Sequence, residues 1–472
     1  MQALHEGSCA TYAKGLADNM RDVSALLLKS LLTLDNPFNT TDEVLAWVRR
    51  RNREVRVSVD QVPFSALKGW HFDPETGDLC HDSGKFFTIC GINVYTNTGT
   101  ISRWSQPVIN QPEVGCLGII CREFDGVLYF LLQAKIEPGN VNCVQLSPTI
   151  QATRSNYTRA HGGKAPAFLD VFQNVAAESI ILDQLQSEQG ARFLRKRNRN
   201  IIVKVDDEFE IGEDFRWLTL GQIKQLIRHD NIVNMDTRTV ISGLRFCGSG
   251  SDLFESECTL SGVLTIDEIL HNLTELKTRY ELVAERIPLC RVLDWQVTTT
   301  EIVREDRRFF RVIGVGVEIE NREVARWCQP IIEPMQQGIC VLFCKKIGGV
   351  MHFLAQAKVE CGNFDVVELA PTIQCLTGNY RDPVGYVPMY LEDFMDGSCI
   401  KRMIVDTLQS EEGGRFYHEQ NRNVICEVND AIPDDPPPNF MWLTLGQMKE
   451  FLRFNNYLNI QIRSLIASMV YV

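Results

Sequence analysis

The hydrophobic and polar positions of this chain follow a pattern that is written twice. Residues 130–157, FLLQAKIEPGNVNCVQLSPTIQATRSNY, return at 353–380 as FLAQAKVECGNFDVVELAPTIQCLTGNY, an offset of 223 residues. Each copy begins as an apolar run and turns polar at Glu137-Pro138-Gly139-Asn140 or Glu360-Cys361-Gly362-Asn363. That change predicts a buried strand running into a loop. The loop then carries Pro148 to Gln151 and Asn156-Tyr157, or Pro371 to Gln374 and Asn379-Tyr380. These groups offer hydrogen bonds and an aromatic face, which places a ligand site there.

The pattern predicts further elements on both sides. Met20, Val23, Leu26, Leu27, Leu31 and Leu34 fall at helical spacing, and Thr40-x-x-Glu43 is a capping box for a second helix. Thr88 to Tyr95 alternates as a strand, and Asp125-Gly126 and Gly348-Gly349 are two-residue hairpin signals. Val175 to Gln189 reads as a helix stopped by Gly190, with the same stop at Gly413. A strand at Ile201 to Val205 precedes the capping sequence Thr219-Leu-Gly-Gln222, which recurs as Thr444-Leu-Gly-Gln447. The organisation predicted is a helical N-terminal arm (1–54), a first repeat (55–243), a Gly/Ser-containing linker with an amphipathic helix (244–279) and a second repeat (280–472). Interleaved strands and helices argue for an α/β sandwich with mixed sheets, repeated in tandem.

Composition narrows the function classes. With 48 Lys and Arg against 60 Asp and Glu, the net charge is −12, so the general basic footprint of a nucleic-acid binder is missing. No run approaches the roughly 18 apolar residues of a membrane span, and the N-terminus lacks a signal-peptide core, which predicts a cytoplasmic protein. Sixteen cysteines without a CxxC pair read as buried free thiols rather than disulfides or zinc ligands. There is no GxSxG, no P-loop and no GxGxxG after a strand, and the histidines never fall at metal-ligand spacing, so neither a cofactor nor a metal is expected. The segment LDQLQSEQGA (182–191) has the cadence of a Nudix signature, but only Glu188, and Glu411 in the second copy, remain of its Glu cluster. Hard cations need several carboxylate oxygens, which disfavours a metal-dependent pyrophosphatase.

The runs QAKIEPGN, VQLSPTIQATRSNYTRAHGG, LQSEQGARF, KRNRN, RWLTL and VNMDTRTV, with their second copies, closely resemble the NDP-hexose 2,3-dehydratases of deoxysugar biosynthesis. The resemblance covers about residues 55–470. It implies a Nudix-like fold duplicated within each subunit, a homodimer, and action on a dTDP-4-keto-6-deoxyhexose without a redox cofactor. It also implies two nucleotide-sugar pockets, one catalytic and one a remnant. The chemistry is definite: a ketone at carbon 4 acidifies the hydrogen on carbon 3, and the hydroxyl on carbon 2 is then lost as water. The product relaxes to a 3,4-diketo-2,6-dideoxyhexose. Such a site needs a base, an acid and donors to the enolate oxygen.

The residues shared by the copies, Lys135/Lys358, Glu137/Glu360, Thr149/Thr372, Gln151/Gln374, Asn156/Asn379 and Tyr157/Tyr380, suit a task both pockets have: shaping the loop or binding nucleotide. Copy-specific residues suit catalysis. Only the first copy has His161 with Gly162-Gly163, and a histidine near neutral pKa suits proton transfer, although a plain hydrogen-bonding role stays open. Ser147 becomes Ala370, Lys196-Arg197 becomes Glu419-Gln420, and Asp236 becomes Gln461. Glu137, Tyr157 and His161 are therefore the candidate catalytic groups. Trp104, Lys135, Asn140, Ser147, Thr149, Gln151, Arg154, Asn156, Arg159, Gly162, Gly163, Lys196, Arg197 and Arg238 are the candidate substrate contacts. Trp327 and Trp104 either stack on a base or fill core. A Nudix-like pyrophosphatase and a non-catalytic nucleotide-sugar binder remain as alternatives.

Overall fold

The computed structural model describes residues 23–99, 101–153, 166–319, 326–376 and 387–471. Strands dominate. Each repeat builds a seven-stranded mixed sheet in which one parallel contact joins two antiparallel groups. In the first repeat Gly115–Phe124 lies between Val127–Ile136 and Arg197–Lys204, with Ile180–Ser187 and Phe215–Leu218 at the two ends. The second repeat has the same order, with Gly338–Ile347 at its centre. Both predicted hairpins form: Asp125 and Gly126, and Gly348 and Gly349, take the positive φ that a tight two-residue turn requires. The capping boxes at Thr40, Thr219 and Thr444 also form.

The repeats exchange strands. Val57–Val62 pairs with Phe310–Ile319 of the second repeat, and Leu282–Ile287 pairs with Thr88–Thr96 of the first. Each of the two five-stranded sheets thus holds one strand lent by the other repeat. One continuous core of Leu, Ile, Val and Phe from both repeats fills the space between the seven-stranded sheets and their helices. Helices Met235–Ser242 and Ile460–Ser468 meet at its centre. No helix among the described residues is long and apolar enough to cross a membrane.

Three expectations are corrected. The segment 175–189 is not a helix: Ile180–Ser187 is a strand hydrogen-bonded to Arg197–Lys204, as Ile400–Ser410 is to Gln420–Val428. Ile180, Ile181 and Leu185 satisfy a helical spacing, but the ladder with a neighbouring strand decides the outcome. Asp183 at the Nudix position makes a two-pronged ion pair across that ladder with Arg199, both bonds at 2.7 Å. Gly190 and Gly413 therefore end no helix. Nor is the stretch around Gly243 to Ser256 a plain linker: Asp252–Cys258 and Ile266–Arg279 occupy the place that helix 23–32 and Thr41–Glu54 hold in the first repeat. Ser30 Oγ donates to Leu128 O and accepts from Leu220 N, and Ser256 Oγ does the same with Met351 O and Leu445 N. Finally, every described cysteine is a free thiol, but Cys247, Cys258 and Cys290 are exposed, so burial holds for only part of the set.

Candidate active site

The duplicated loop explains where polar groups gather. Gly139 N–H donates to Gly413 O at 2.7 Å and Gly139 O accepts from His418 N–H at 2.7 Å, while Gly362 N–H donates to Gly190 O and its carbonyl accepts from Arg195 N–H. The polar turn of each repeat is thus clasped by the other repeat, and a buried polar cluster forms beside each clasp.

In the first cluster, strand Val127–Ile136 and the turn after it deliver Lys135, Glu137 and Asn140. The Glu137 carboxylate, 4% exposed, accepts from Gln151 Nε2 at 2.7 Å and Asn140 Nδ2 at 3.4 Å, and faces Lys135 Nζ at 3.3 Å. Gln151 accepts from Asn234, the N-cap of helix Met235–Ser242, and the first turn of that helix carries Asp236. Glu188 accepts from Asn198 Nδ2 at 2.6 Å, and Lys196 donates to Glu113 O. The second repeat contributes Glu412 and Arg415 from the turn after Ile400–Ser410.

Burial dominates the electrostatics here. It raises the Glu188 pKa to about 7, with the Glu412 charge acting in the same direction. Burial also raises Asp236, helped by repulsion from Glu412, Glu188 and Glu137, and it raises Glu412 against the pull of Arg415. Lys196 is lowered by burial. Carboxyl groups raised above their ordinary range beside cations are suited to moving protons and holding an anion.

The second cluster keeps the frame and loses charge. Gln374 donates to Glu360 at 3.0 Å and accepts from Asn459 at 2.7 Å, while Lys358 donates to Gln374 O. Where the first cluster has Asp236, Lys196 and Glu412, the second has Gln461, Glu419 and Gln189. Glu411, raised to about 8 by burial and by Glu419, accepts from Gln189 and Asn421.

Comparison with known proteins decides the family. The model of the NDP-hexose 2,3-dehydratase family matches residues 41–244 and again 266–469. The chain belongs to the NDP-hexose 2,3-dehydratase family. It is 46% identical over 454 residues to a dTDP-4-dehydro-6-deoxy-alpha-D-glucopyranose 2,3-dehydratase of Saccharopolyspora spinosa, covering 93% of each chain. Proteins with the same description from Amycolatopsis orientalis and Streptomyces violaceoruber are each 41% identical; the first match covers 94% of this chain and 93% of the relative, the second 89% and 95%. The two matched segments include the helices at Thr41–Glu54 and Ile266–Arg279, so the unit of this family's duplication is longer than the strand pattern conveys.

Within this dehydratase-family chain the sequence candidates separate. Lys135, Glu137, Asn140, Gln151 and Lys196 come together in the first cluster, and Lys358, Glu360 and Gln374 in the second. Thr149 does not face a ligand: its hydroxyl accepts from Ile120 N at 2.9 Å and donates to Leu131 O, tying two strands, as Thr372 does with Phe343 and Leu354. Arg238 is corrected as well, since it is fully buried and crosses the repeat interface to Ser410 O and Ser464 Oγ, while Arg463 returns the contact at Ser187 O. Trp104 and Trp327 are half-buried, donate to Gln106 and Gln329, and pack against core. Arg197 stacks on Phe364 at 4.2 Å, and the Ser147 hydroxyl is buried without a hydrogen bond among the described residues. Arg154, Asn156, Tyr157, Arg159, His161, Gly162, Gly163, Asn379 and Tyr380 lie outside the described residues.

Sequence reasoning left Asp236, Glu188, Glu412 and Arg415 out of the candidate set. The signal for Asp236 was its change to Gln461; that for Glu412 was its change to Gln189 in otherwise matching runs. Two surface cavities, of about 270 Å³ beside Leu276 and Trp442 and about 620 Å³ beside Thr41 and His229, hold none of the cluster side chains. Among the described residues no three His, Cys, Asp or Glu side chains are grouped as a metal site.

Proposed function

We propose that the protein removes the carbon-2 hydroxyl of a dTDP-4-keto-6-deoxyhexose, giving a 3,4-diketo-2,6-dideoxyhexose for deoxysugar biosynthesis. The observation that carries the reading is 46% identity across 93% of a relative described as acting on dTDP-4-dehydro-6-deoxyglucose. The polar cluster beside Glu137 supports it, because the reaction needs proton donors and acceptors next to cations that hold a diphosphate and a developing enolate. Glu137, Tyr157 and His161 are our candidate catalytic groups, and Lys135, Lys196 and Arg415 our candidate anion partners. The first cluster is the working site in this reading and the second a remnant. Thr149 and Arg238 hold the frame.

We further propose a Nudix-like ancestry for each mixed sheet, a homodimer in solution, and a cytoplasmic location in keeping with the free thiols. The engagement of Asp183 by Arg199 speaks against a surviving Nudix metal site. Incubation with dTDP-4-keto-6-deoxyglucose and a trap for the unstable diketone tests the activity. Trapped diketo sugar is the expected result; release of a sugar phosphate instead would favour a pyrophosphatase. Solution mass by light scattering tests the dimer.

A further inference from the structure

The carboxylates of the first cluster are of two kinds. Glu137 is fixed by Gln151, Asn140 and Lys135, and Glu188 by Asn198. Asp236 and Glu412 have no hydrogen-bond or ion-pair partner among the described residues, although Asp236 is only 3% exposed. A buried carboxyl without a partner is a standing penalty in a folded protein unless it serves a ligand.

The second cluster gives an independent indication. Its counterparts of Asp236 and Glu412 are Gln461 and Gln189. Both are amides, which can hydrogen-bond but neither take up nor release a proton as an acid or base near neutral pH. The fixed carboxylates, in contrast, stay carboxylates, as Glu360 and Glu411. The two sites therefore differ at these two positions, and the carboxyl of the second site that lacks a partner among the described residues, Glu419, stands instead where the first has Lys196.

We propose that Asp236 and Glu412 are the proton-transfer pair of the first site, so that the active site is completed by a residue of the second repeat. This rests on the dehydratase reading. Glu412 takes the hydrogen of carbon 3 as a proton, and the carbon–hydrogen electron pair becomes the enolate conjugated to the carbon-4 ketone. The enolate then reforms the ketone, the carbon-2 to carbon-3 double bond forms, and the carbon-2 to oxygen bond breaks. Asp236 gives its proton to the departing hydroxyl, which leaves as water. The enol at carbon 3 then loses its hydroxyl proton while carbon 2 gains one, giving the diketone with no oxidant or reductant. The roles follow from surroundings: half-buried Glu412 has three cations, Arg415, Lys135 and Lys196, to favour its ionised form against burial and Glu137, whereas Asp236 faces Glu412, Glu188 and Glu137 with Lys135 alone to offset them.

The test uses Asp236→Asn and Glu412→Gln in the full chain, each placing in the first site the kind of side chain the second already tolerates. Both variants are expected to melt with the parent protein and to lose about 10²–10⁴-fold in kcat on dTDP-4-keto-6-deoxyglucose, with KM changed by less than about threefold. In D₂O, Glu412→Gln abolishes exchange of the carbon-3 hydrogen, whereas Asp236→Asn retains exchange and slows water loss. Asp236→Glu and Glu412→Asp, which keep an acid, recover part of the rate, which a merely structural role would not produce. Turnover within about threefold of the parent in either amide variant overturns the proposal. A parent protein that forms no diketone overturns the dehydratase reading, and this inference with it, whereas an active parent with active amide variants overturns the inference alone.

Discussion

Replacing Gly139 by alanine tests the clasp that holds the site together. A Cβ at Gly139 would stand 1.8 Å from Phe416 O and 2.6 Å from Gly413 O, both main-chain atoms of the second repeat. Neither can swing aside like a side chain. Relief requires the turn to retreat, which breaks the 2.7 Å bonds from Gly139 N–H to Gly413 O and from His418 N–H to Gly139 O. Two net hydrogen bonds at about 1 kcal/mol each, with overpacking of about 1–3 kcal/mol, give a loss of about 3–5 kcal/mol. At about 2 °C per kcal/mol for a cooperative unit this large, the melting temperature should fall by about 6–10 °C. Gly362→Ala meets Phe193 O at 1.8 Å and should fall by as much. Gly212, whose added Cβ would find only Phe215 at 3.9 Å, is the control. Urea or thermal unfolding of the three variants measures the effect, and a loss below about 1 kcal/mol at Gly139 would show that the repeats are not held by this contact.

Burial lowers the Lys224 pKa from 10.5 to about 7, while its ammonium donates to Ala467 O at 2.7 Å. A lysine depressed on folding is protonated only in the unfolded chain between those values, so stability rises with pH from about 7 to 10.5; Lys224→Met should reduce that slope by about 1.4 kcal/mol per pH unit. Because Asp183 is committed to Arg199, turnover should persist in excess EDTA; loss of activity restored by Mg²⁺ would reopen the Nudix reading. His161→Ala should leave melting unchanged and lower turnover by about 10²–10⁴-fold. Tyr157→Phe should slow the reaction far more than Tyr380→Phe, and equal losses in folded protein would refute a single working site.

What the sequence disclosed depends on how far each interaction reaches along the chain. The hairpins at Asp125-Gly126 and Gly348-Gly349 and the caps at Thr40, Thr219 and Thr444 are settled within four residues, and all of them form. The segment at Ile180–Ser187 failed because its apolar spacing suits both periods, and the choice was made by Arg197–Lys204, further along the chain. The clasp at Gly139 was out of reach for the same reason: its partner lies 274 residues away, at Gly413. Comparing the two copies does flag Asp236, since an acid replaced by Gln461 is visible without coordinates, but the change alone did not bring it into the candidate set. It did not find Glu412, because a residue of the second copy was assigned to the second site. The strand exchange and the reciprocal clasp mean that each site borrows from the other repeat. The useful comparison is therefore crossed for part of each turn: Glu412 and Arg415 must be read with the loop after Ile136, and Gln189 and Arg192 with the loop after Lys358, while Glu188 and Glu411 stay with their own copies. Read that way, a pair of acids, Asp236 with Glu412, in one site stands against a pair of amides, Gln461 with Gln189, in the other, a contrast that neither copy displays by itself.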